Sequence, residues 1–338
     1  MPENQSSATV KIVRFHKTGT ADVLQIDEMP LPEAGPGEVR LRVKAIGLNR
    51  AEVMFRMGQY LVAPKLPSKL GYEASGVIEA VGAGVDEALL GKTVSTVPAF
   101  PADEYGVYGE VAVVPVEAVA EYPASLSHEE GTSIWMQYLT AYGALVHYGK
   151  VAKGDFVVIT AASSSVGIAA IEIVKAEGGV SIATTRTSAK KDELLKLGAD
   201  FVIATEEEDL VARVKEITGG KGARVIFDPI GGGGLVKLAD VAAASGMIFE
   251  YGALSTEATP YPLFAALSKH LTIKGYTLFE VVGDPETRAV AERYVFDRLR
   301  SGAFKPRIDK VFRGLETIVE AHRYMESNAQ VGKIVVTV

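Results

Sequence analysis

Phe156-Val-Val-Ile-Thr-Ala-Ala-Ser-Ser-Ser-Val-Gly-Ile-Ala-Ala170 is the stretch on which the fold turns. The β-branched run at 156–159 has the length and composition of a buried strand. Small residues at 161–165 make a tight turn, and the apolar segment from Val166 onward reads as a helix. Strand, turn and helix in that order open a dinucleotide-binding unit, in which pyrophosphate rests on backbone N–H groups at the helix N-terminus. The G-x-G-x-x-G spelling is absent. Gly167 alone stands where a glycine lets helix and strand approach closely, and Ser163, Ser164 and Ser165 fill the turn. Their amides can still cradle phosphate and their hydroxyls add donors; a plain loop is the other reading of the same three residues.

Downstream, strands and helices alternate. A strand at 180–183 leads to a helix at 190–197 stopped by Gly198, and a strand at 201–204 leads to a helix opened by Thr205-Glu-Glu-Glu208. A strand at 225–228, the glycine run 231–234, a helix to Ala244, strands at 247–251 and 271–278, and a helix at 285–299 follow. This β-α repetition predicts a parallel, doubly wound sheet with ligands at the strand C-termini.

Upstream the character differs. Val10-Lys-Ile-Val-Arg-Phe15 and Glu38-Val-Arg-Leu-Arg-Val-Lys-Ala45 alternate with period two, and short strands at 76–81, 93–97 and 109–114 are punctuated by Gly82, Gly84 and Gly91. That spacing predicts an antiparallel, barrel-like β domain. Ser127-His-Glu-Glu130 is a capping-box spelling ahead of a long helix at 135–146, which opens the second domain. Residues 1–126 and 307–338 are expected to form the β domain, the tail packing back on it, and residues 127–306 the α/β domain.

Composition narrows the function. The 338 residues are 48% hydrophobic, enough for a substantial core, and no apolar run approaches the roughly 18 residues of a membrane span. The first nine residues are polar and lack the apolar core of a secretory signal; they read as a frayed tail. With no cysteine there are no disulfides and no thiolate metal ligands, in keeping with a reducing cytoplasm. A net charge of −7 argues against a nucleic-acid partner.

The second strand ends in Thr184-Thr-Arg-Thr-Ser-Ala-Lys-Lys191, with no carboxylate before Asp192 to hold a ribose 2′-hydroxyl. Arg186 offers a planar fork suited to a 2′-phosphate, and Ser188, Lys190 and Lys191 stand beside it. Cations in the first turn of a helix oppose its dipole unless an anion is bound there. NADPH is the cofactor expected. Ordinary solvated charges are the alternative.

Beyond these features the chain resembles the zinc-independent branch of the medium-chain dehydrogenase/reductase superfamily, which includes NADPH:quinone oxidoreductases and 2-enoyl thioester reductases. The resemblance runs from about residue 10 to 338. Its markers are Gly35-Pro-Gly-Glu-Val39, Gly47-Leu-Asn-Arg-Ala-Glu-Val53, Gly58-Gln-Tyr60, Leu70-Gly-Tyr-Glu-Ala-Ser-Gly76, Leu139-Thr-Ala-Tyr142, Lys153-Gly-Asp155, Leu197-Gly-Ala-Asp200, Phe227-Asp-Pro-Ile-Gly231 and Gly332-Lys-Ile-Val335. It implies a GroES-like β-barrel catalytic domain carrying a Rossmann domain. Zinc-using relatives carry Gly-His-Glu and a catalytic cysteine; here the triplet is Gly71-Tyr72-Glu73. A catalytic zinc needs three protein ligands, and none is expected to bind.

The resemblance also implies site residues. Tyr60 matches the proposed proton donor of the enoyl reductases; an aromatic anchor for the loop 61–67 is the equal alternative. Asn49 frames the cleft, Gln137 and Thr140 approach the nicotinamide, and Val166 follows the serine turn. Tyr251, Gly252, Ala253 and Leu254 follow the fifth strand, and Tyr276, Thr277 and Leu278 lie beside the nicotinamide. Lys333 reaches the cofactor from the other domain. For each, packing or turn geometry is the competing role.

The implied activity is an NADPH-dependent reduction of a quinone, enone or enal. The alternatives are a 2-enoyl thioester reductase and an NADPH-binding sensor with little turnover. The resemblance also implies a homodimer joined through the Rossmann sheet edge.

Overall fold

A computed structural model of the protein describes residues 8–338. The frayed tail expected at 1–9 lies outside the described residues except for Ala8 and Thr9, and Thr9 already opens the first strand. By packing the chain divides into two units, one made of the residues up to Met136 together with Pro306–Val338, the other of Gln137–Lys305.

In the first unit β1 (Thr9–Phe15) and β2 (Leu24–Pro30) form an antiparallel pair. β3 (Glu38–Gly47), β4 (Glu73–Val81), β5 (Thr93–Thr96), β6 (Val111–Pro115) and β7 (Val119–Ala120) follow. The period-two pattern holds in β3, where Val39, Leu41, Val43 and Ala45 are all buried and the intervening residues face outward. Three short helices interrupt the strands: α1 (Arg50–Arg56), α2 (Ala102–Tyr105) and α3 (His128–Gly131). The Ser127–Glu130 box forms, with the Glu130 amide donating to Ser127 Oγ (3.2 Å) and the Ser127 amide to the Glu130 carboxylate (2.8 Å). It caps the one-turn α3, not the long helix expected. That helix, α4 (Trp135–Tyr142), starts independently and runs into a π-helical stretch, Gly143–Tyr148.

The second unit alternates as the sequence predicts: β8 (Phe156–Ile159), α5 (Ser165–Ala176), β9 (Val180–Thr185), α6 (Lys191–Lys196), β10 (Phe201–Ala204), α7 (Leu210–Ile217), β11 (Ala223–Asp228), α8 (Gly234–Val241), β12 (Ala242–Glu250), α9 (Leu263–Lys269), β13 (Thr272–Gly275), α10 (Phe279–Val282) and α11 (Pro285–Ser301). The six strands are parallel in the order β10-β9-β8-β11-β12-β13. Strand order reverses between β8 and β11, and that crevice is where a doubly wound sheet takes its ligand. The centre is an apolar stack that includes Val158, Ile182, Ile203 and Ile226, each side chain contributing about 1.5–3 kcal/mol by burial.

Three local expectations are corrected here. The helix read as opening at Thr205 begins at Leu210, capped by Asp209, whose side chain accepts from the Ala212 amide (2.8 Å). Glu208 instead turns back to the Ala204 amide (2.9 Å). The helix read as running to Ala244 stops at Val241, because Ala242 is already paired with Ala223 in the sheet. Lys269 satisfies the freed carbonyls of Ala239, Asp240 and Ala242. The last strand is shorter than 271–278 and ends at Gly275.

The tail supplies β14 (Ile308–Arg313), α12 (Ile318–Glu326) and β15 (Lys333–Thr337). β15 pairs antiparallel with β3 and parallel with β14, completing a seven-stranded sheet in the first unit. The expectation that the tail packs back on the β domain is met. Among the described residues no helix is long and apolar enough to cross a membrane.

Candidate active site

The turn after β8 is built to leave amides free. Ala161 takes a left-handed backbone (φ +45°), doing without glycine what the usual fingerprint does with it. The Ser164 hydroxyl caps α5 by accepting from the Gly167 amide (3.0 Å). The amides of Ser165 and Val166, in the first turn, have no acceptor within the helix. A Cβ on Gly167 would stand 2.6 Å from the Ala162 Cα, so only glycine lets α5 lie this close to the turn. Twelve residues of helix aim their positive end at this spot, and the donor set fits a phosphate.

A cation completes it. Lys190 Nζ reaches Ser163 Oγ at 3.4 Å. Its neighbour Lys191 instead pairs with Glu208 (3.3 Å). The Ala204 amide and then Lys191 hold that carboxyl below its ordinary range. Arg186 is exposed at the end of β9, and Ser188 gives its amide (2.9 Å) and hydroxyl (3.2 Å) to Glu207. Of the basic residues that the sequence groups together, Lys190 is thus the one that touches the turn. Spacing could not select it, because consecutive residues entering a helix point about 100° apart.

Beside the turn runs a cleft of about 310 Å³ along the C-terminal ends of β8 to β11, lined by Thr160, Thr184, Thr205, Asp228, Gly231 and Lys237 among others. Tyr251 stacks flat on Phe227 with centroids 3.9 Å apart, and its hydroxyl is turned toward Ser164. Burial, with Asp228 nearby, holds that phenol far above its ordinary pKa. Gly252, Ala253 and Leu254 are exposed after β12, and Gly252 packs so tightly on Pro229 that a Cβ would sit 2.7 Å from its carbonyl oxygen.

The remaining predicted residues of this unit are largely interior. Gln137 is buried with its Oε1 unpartnered, and Thr140 is buried three residues further along α4. Tyr276 is buried, its hydroxyl donating to the Leu139 carbonyl (3.5 Å). The Thr277 amide donates to Glu280 (3.4 Å), and Leu278 is buried.

In the first unit a dry polar network gathers Asn49, Glu52, Glu73, Tyr108 and Lys333. Lys333 is 1% exposed; its Nζ pairs with Glu73 and donates to Asn49 Oδ1 (2.6 Å). Asn49 Nδ2 donates to Glu52 and to Glu73, both at 3.2 Å. Glu73 also accepts from the Met136 amide (2.9 Å), while Glu52 accepts from the Tyr72 amide (3.0 Å) and the Tyr108 hydroxyl (2.7 Å). Burial raises the Glu52 pKa against the pull of Tyr108 and Lys333. The sequence gives no packing reason for a lysine before a buried strand; the partner across the sheet supplies one.

Tyr60 is half-buried on the loop after α1, and among the described residues nothing hydrogen-bonds its hydroxyl. Burial and then Glu52 raise its pKa, so it stays a protonated donor. Tyr72, in the triplet where a metal-ligating histidine stands in zinc-using relatives, packs on Phe100 with centroids 5.9 Å apart. The Glu73 carboxylate is fully engaged, and among the described residues no three His, Cys, Asp or Glu side chains converge. These residues do not fit a zinc ion.

Two family models match the chain, an alcohol dehydrogenase GroES-like domain over residues 35–124 and a zinc-binding dehydrogenase domain over residues 165–295. Quinone oxidoreductase 1 of Escherichia coli (strain K12) is 31% identical over 322 residues, spanning 95% of this chain and 97% of that one. A 2-haloacrylate reductase of a Burkholderia species is 31% identical over 327 residues, with 95% and 97% covered. Among solved structures, the Escherichia coli quinone oxidoreductase complexed with NADPH superimposes with a TM-score of 0.88 at 30% identity, covering 97% of this chain and 100% of the other.

Proposed function

The chain belongs to the medium-chain dehydrogenase/reductase superfamily and is an oxidoreductase, and from that premise we propose that it is an NADPH-dependent, zinc-free reductase of quinones or of α,β-unsaturated carbonyls. The observation that carries this is the filled metal position: Tyr72 is packed on Phe100 and Glu73 is spent on Lys333 and Asn49. Without a Lewis acid at hand, the acceptor must be one that needs less help than a simple ketone. An electron-poor C=C conjugated to a carbonyl, or a quinone, meets that condition.

When bound, the nicotinamide supplies hydride. The serine turn, the first amides of α5 and Lys190 hold the anionic end, with Arg186 available to a 2′-phosphate. Negative charge then builds on the acceptor oxygen, and the Tyr60 hydroxyl, kept protonated and unspent, is the donor for it. Leu61 and Val62 beside it are exposed and apolar, in keeping with an apolar acceptor. The NADPH complex of the quinone oxidoreductase relative and the quinone and 2-haloacrylate names of the relatives support this choice.

The deciding experiment is a panel of quinones, enones, enals and enoyl thioesters assayed with NADPH and with NADH. Turnover confined to enoyl thioesters would move the assignment to a thioester reductase. NADPH binding without acceptor-linked oxidation would make the chain a sensor.

We also infer a cytoplasmic homodimer. β13 is one of the two edges of the parallel sheet, and α9 before it exposes Leu263, Leu267 and Phe264, the last at 85%; a second copy placed edge to edge would cover both. Light scattering of the wild type and of Phe264→Glu tests this, with a monomeric wild type refuting it.

A further inference from the structure

Two carboxyl groups stand side by side at the crevice, Asp228 and Glu250, register partners at the last positions of β11 and β12. Asp228 is buried, and its carboxylate accepts from the Thr160 hydroxyl and from the Gly231 amide (2.8 Å). Thr160 follows β8 and leads into the serine turn; Gly231 opens the glycine run. One side chain therefore ties together the two loops that leave the strands on either side of the switch point. Glu250 lies beside it in register and reaches toward the same Gly231, and its buried Oε1 has no hydrogen-bond partner among the described residues. Two ionised carboxylates offer only acceptors, so the orphaned oxygen of Glu250 can be satisfied by its register neighbour Asp228 only with a proton between them.

We propose that Asp228 and Glu250 share one proton, and that this protonated pair holds the glycine run 231–234 against Thr160, making cofactor affinity at the crevice depend on the ionisation of the pair. Among the described residues neither carboxyl is paired with a cation, and the lysine that lines the same cleft, Lys237, forms no ion pair with either. Burial and then Asp228 push the Glu250 carboxyl up to about 8. On β13 the residue opposite Glu250 is Gly275, and Lys274 one position earlier pairs with Glu280 (2.7 Å). Tyr251, the residue after β12, is held in its neutral phenol form by burial. Glu257, in the loop after β12, lies near Gly232 and Gly233, and Glu208, Asp209 and Lys237 are among the residues that line the cleft. Loss of the proton sets two like charges against each other under a loop that must admit an anion. The fold places them there by register alone, since 22 residues separate them in sequence.

The affinity consequence rests on reading the crevice as an NADPH site; the shared proton does not. Infrared difference spectra of the protein without NADPH, recorded near pH 6.5 and near pH 9.5, should show a protonated-carboxyl C=O band that vanishes on the alkaline side. The band should be missing in Glu250→Gln, whose amide keeps a hydrogen bond to Asp228 without titrating. No titrating band in the wild type, or the same band in both Glu250→Gln and Asp228→Asn, overturns the proposal. Calorimetric Kd values for NADPH at the same two pH values should differ by about tenfold in the wild type and by less than about threefold in Glu250→Gln. Equal ratios overturn the coupling. Failure of NADPH to bind at either pH overturns the cofactor assignment, and the infrared band still decides the pair.

Discussion

The Nζ of Lys333 is lodged between the carboxylate of Glu73 and the Oδ1 of Asn49, three side chains that start on β15, β4 and the residue before α1 and are all excluded from water. The ammonium is the counter-charge for Glu73. Removing it leaves an uncompensated buried carboxylate. Lys333→Met should destabilise the protein by about 3–5 kcal/mol in urea unfolding, and adding Glu73→Gln should recover part of that loss. A single variant with wild-type stability would show that the pair is not what holds β15 to β4.

Gly167 faces Ala162 across the turn with no room for a methyl group. Gly167→Ala should cost about 1–3 kcal/mol of stability through overpacking and should weaken NADPH binding by more than the loss of stability explains. The pair of measurements is thermal unfolding and calorimetric titration. A variant that binds normally would uncouple the turn from the phosphate.

Lys190 and Lys191 are adjacent, yet one touches Ser163 and the other Glu208. Lys190→Ala should raise the Kd for NADPH by about tenfold or more, the size of a lost hydrogen bond to a charged group, while Lys191→Ala changes it by less than about threefold. Arg186→Ala should narrow the preference for NADPH over NADH. Equal effects of the two lysine variants would contradict the contacts seen here.

Tyr60 has an unspent hydroxyl, while Tyr72 packs on Phe100. If Tyr60 donates to the developing oxyanion, Tyr60→Phe should lower kcat by about 10²-fold with little change in the NADPH Kd. Full kcat on every acceptor would leave Tyr60 as a loop anchor.

His322 is enclosed against Tyr108, with both ring nitrogens unpartnered. Burial, and then the nearby Arg56, lower its pKa to about 3 from an ordinary value of 6.5. The folded state keeps the ring neutral while the unfolded chain protonates it below 6.5. The contribution is therefore whole above pH 6.5 and is lost as pH falls from there toward 3, by at most about 5 kcal/mol. His322→Phe, which keeps the aromatic contact, should flatten the fall in stability over that window. An unchanged pH profile would assign the acid sensitivity to other groups.

Much of this was legible in the chain. The period-two strands, the glycine punctuation and the β-α alternation are local properties, and they determined the β domain, the parallel sheet and the serine turn. The lack of cysteine and the Gly71-Tyr72-Glu73 triplet argue against a zinc site without coordinates. Helix ends were less legible: Asp209 took the capping role that Thr205 spells, and pairing with β11 stopped α8 before Ala244. Those choices were made by competition between local hydrogen bonds and the sheet.

What only the tertiary structure decided is which charges meet. Lys333 finds Glu73 260 residues away, Lys190 rather than Lys191 meets the serine turn, and Asp228 lies against Glu250. Sequence periodicity fixes which face a side chain occupies, but partners across a sheet follow from strand order and register, which are set by the packing of the whole core. The serine turn needed only its own fifteen residues to be recognised; the lysine that touches it stands at the entry to α6, beyond the next strand.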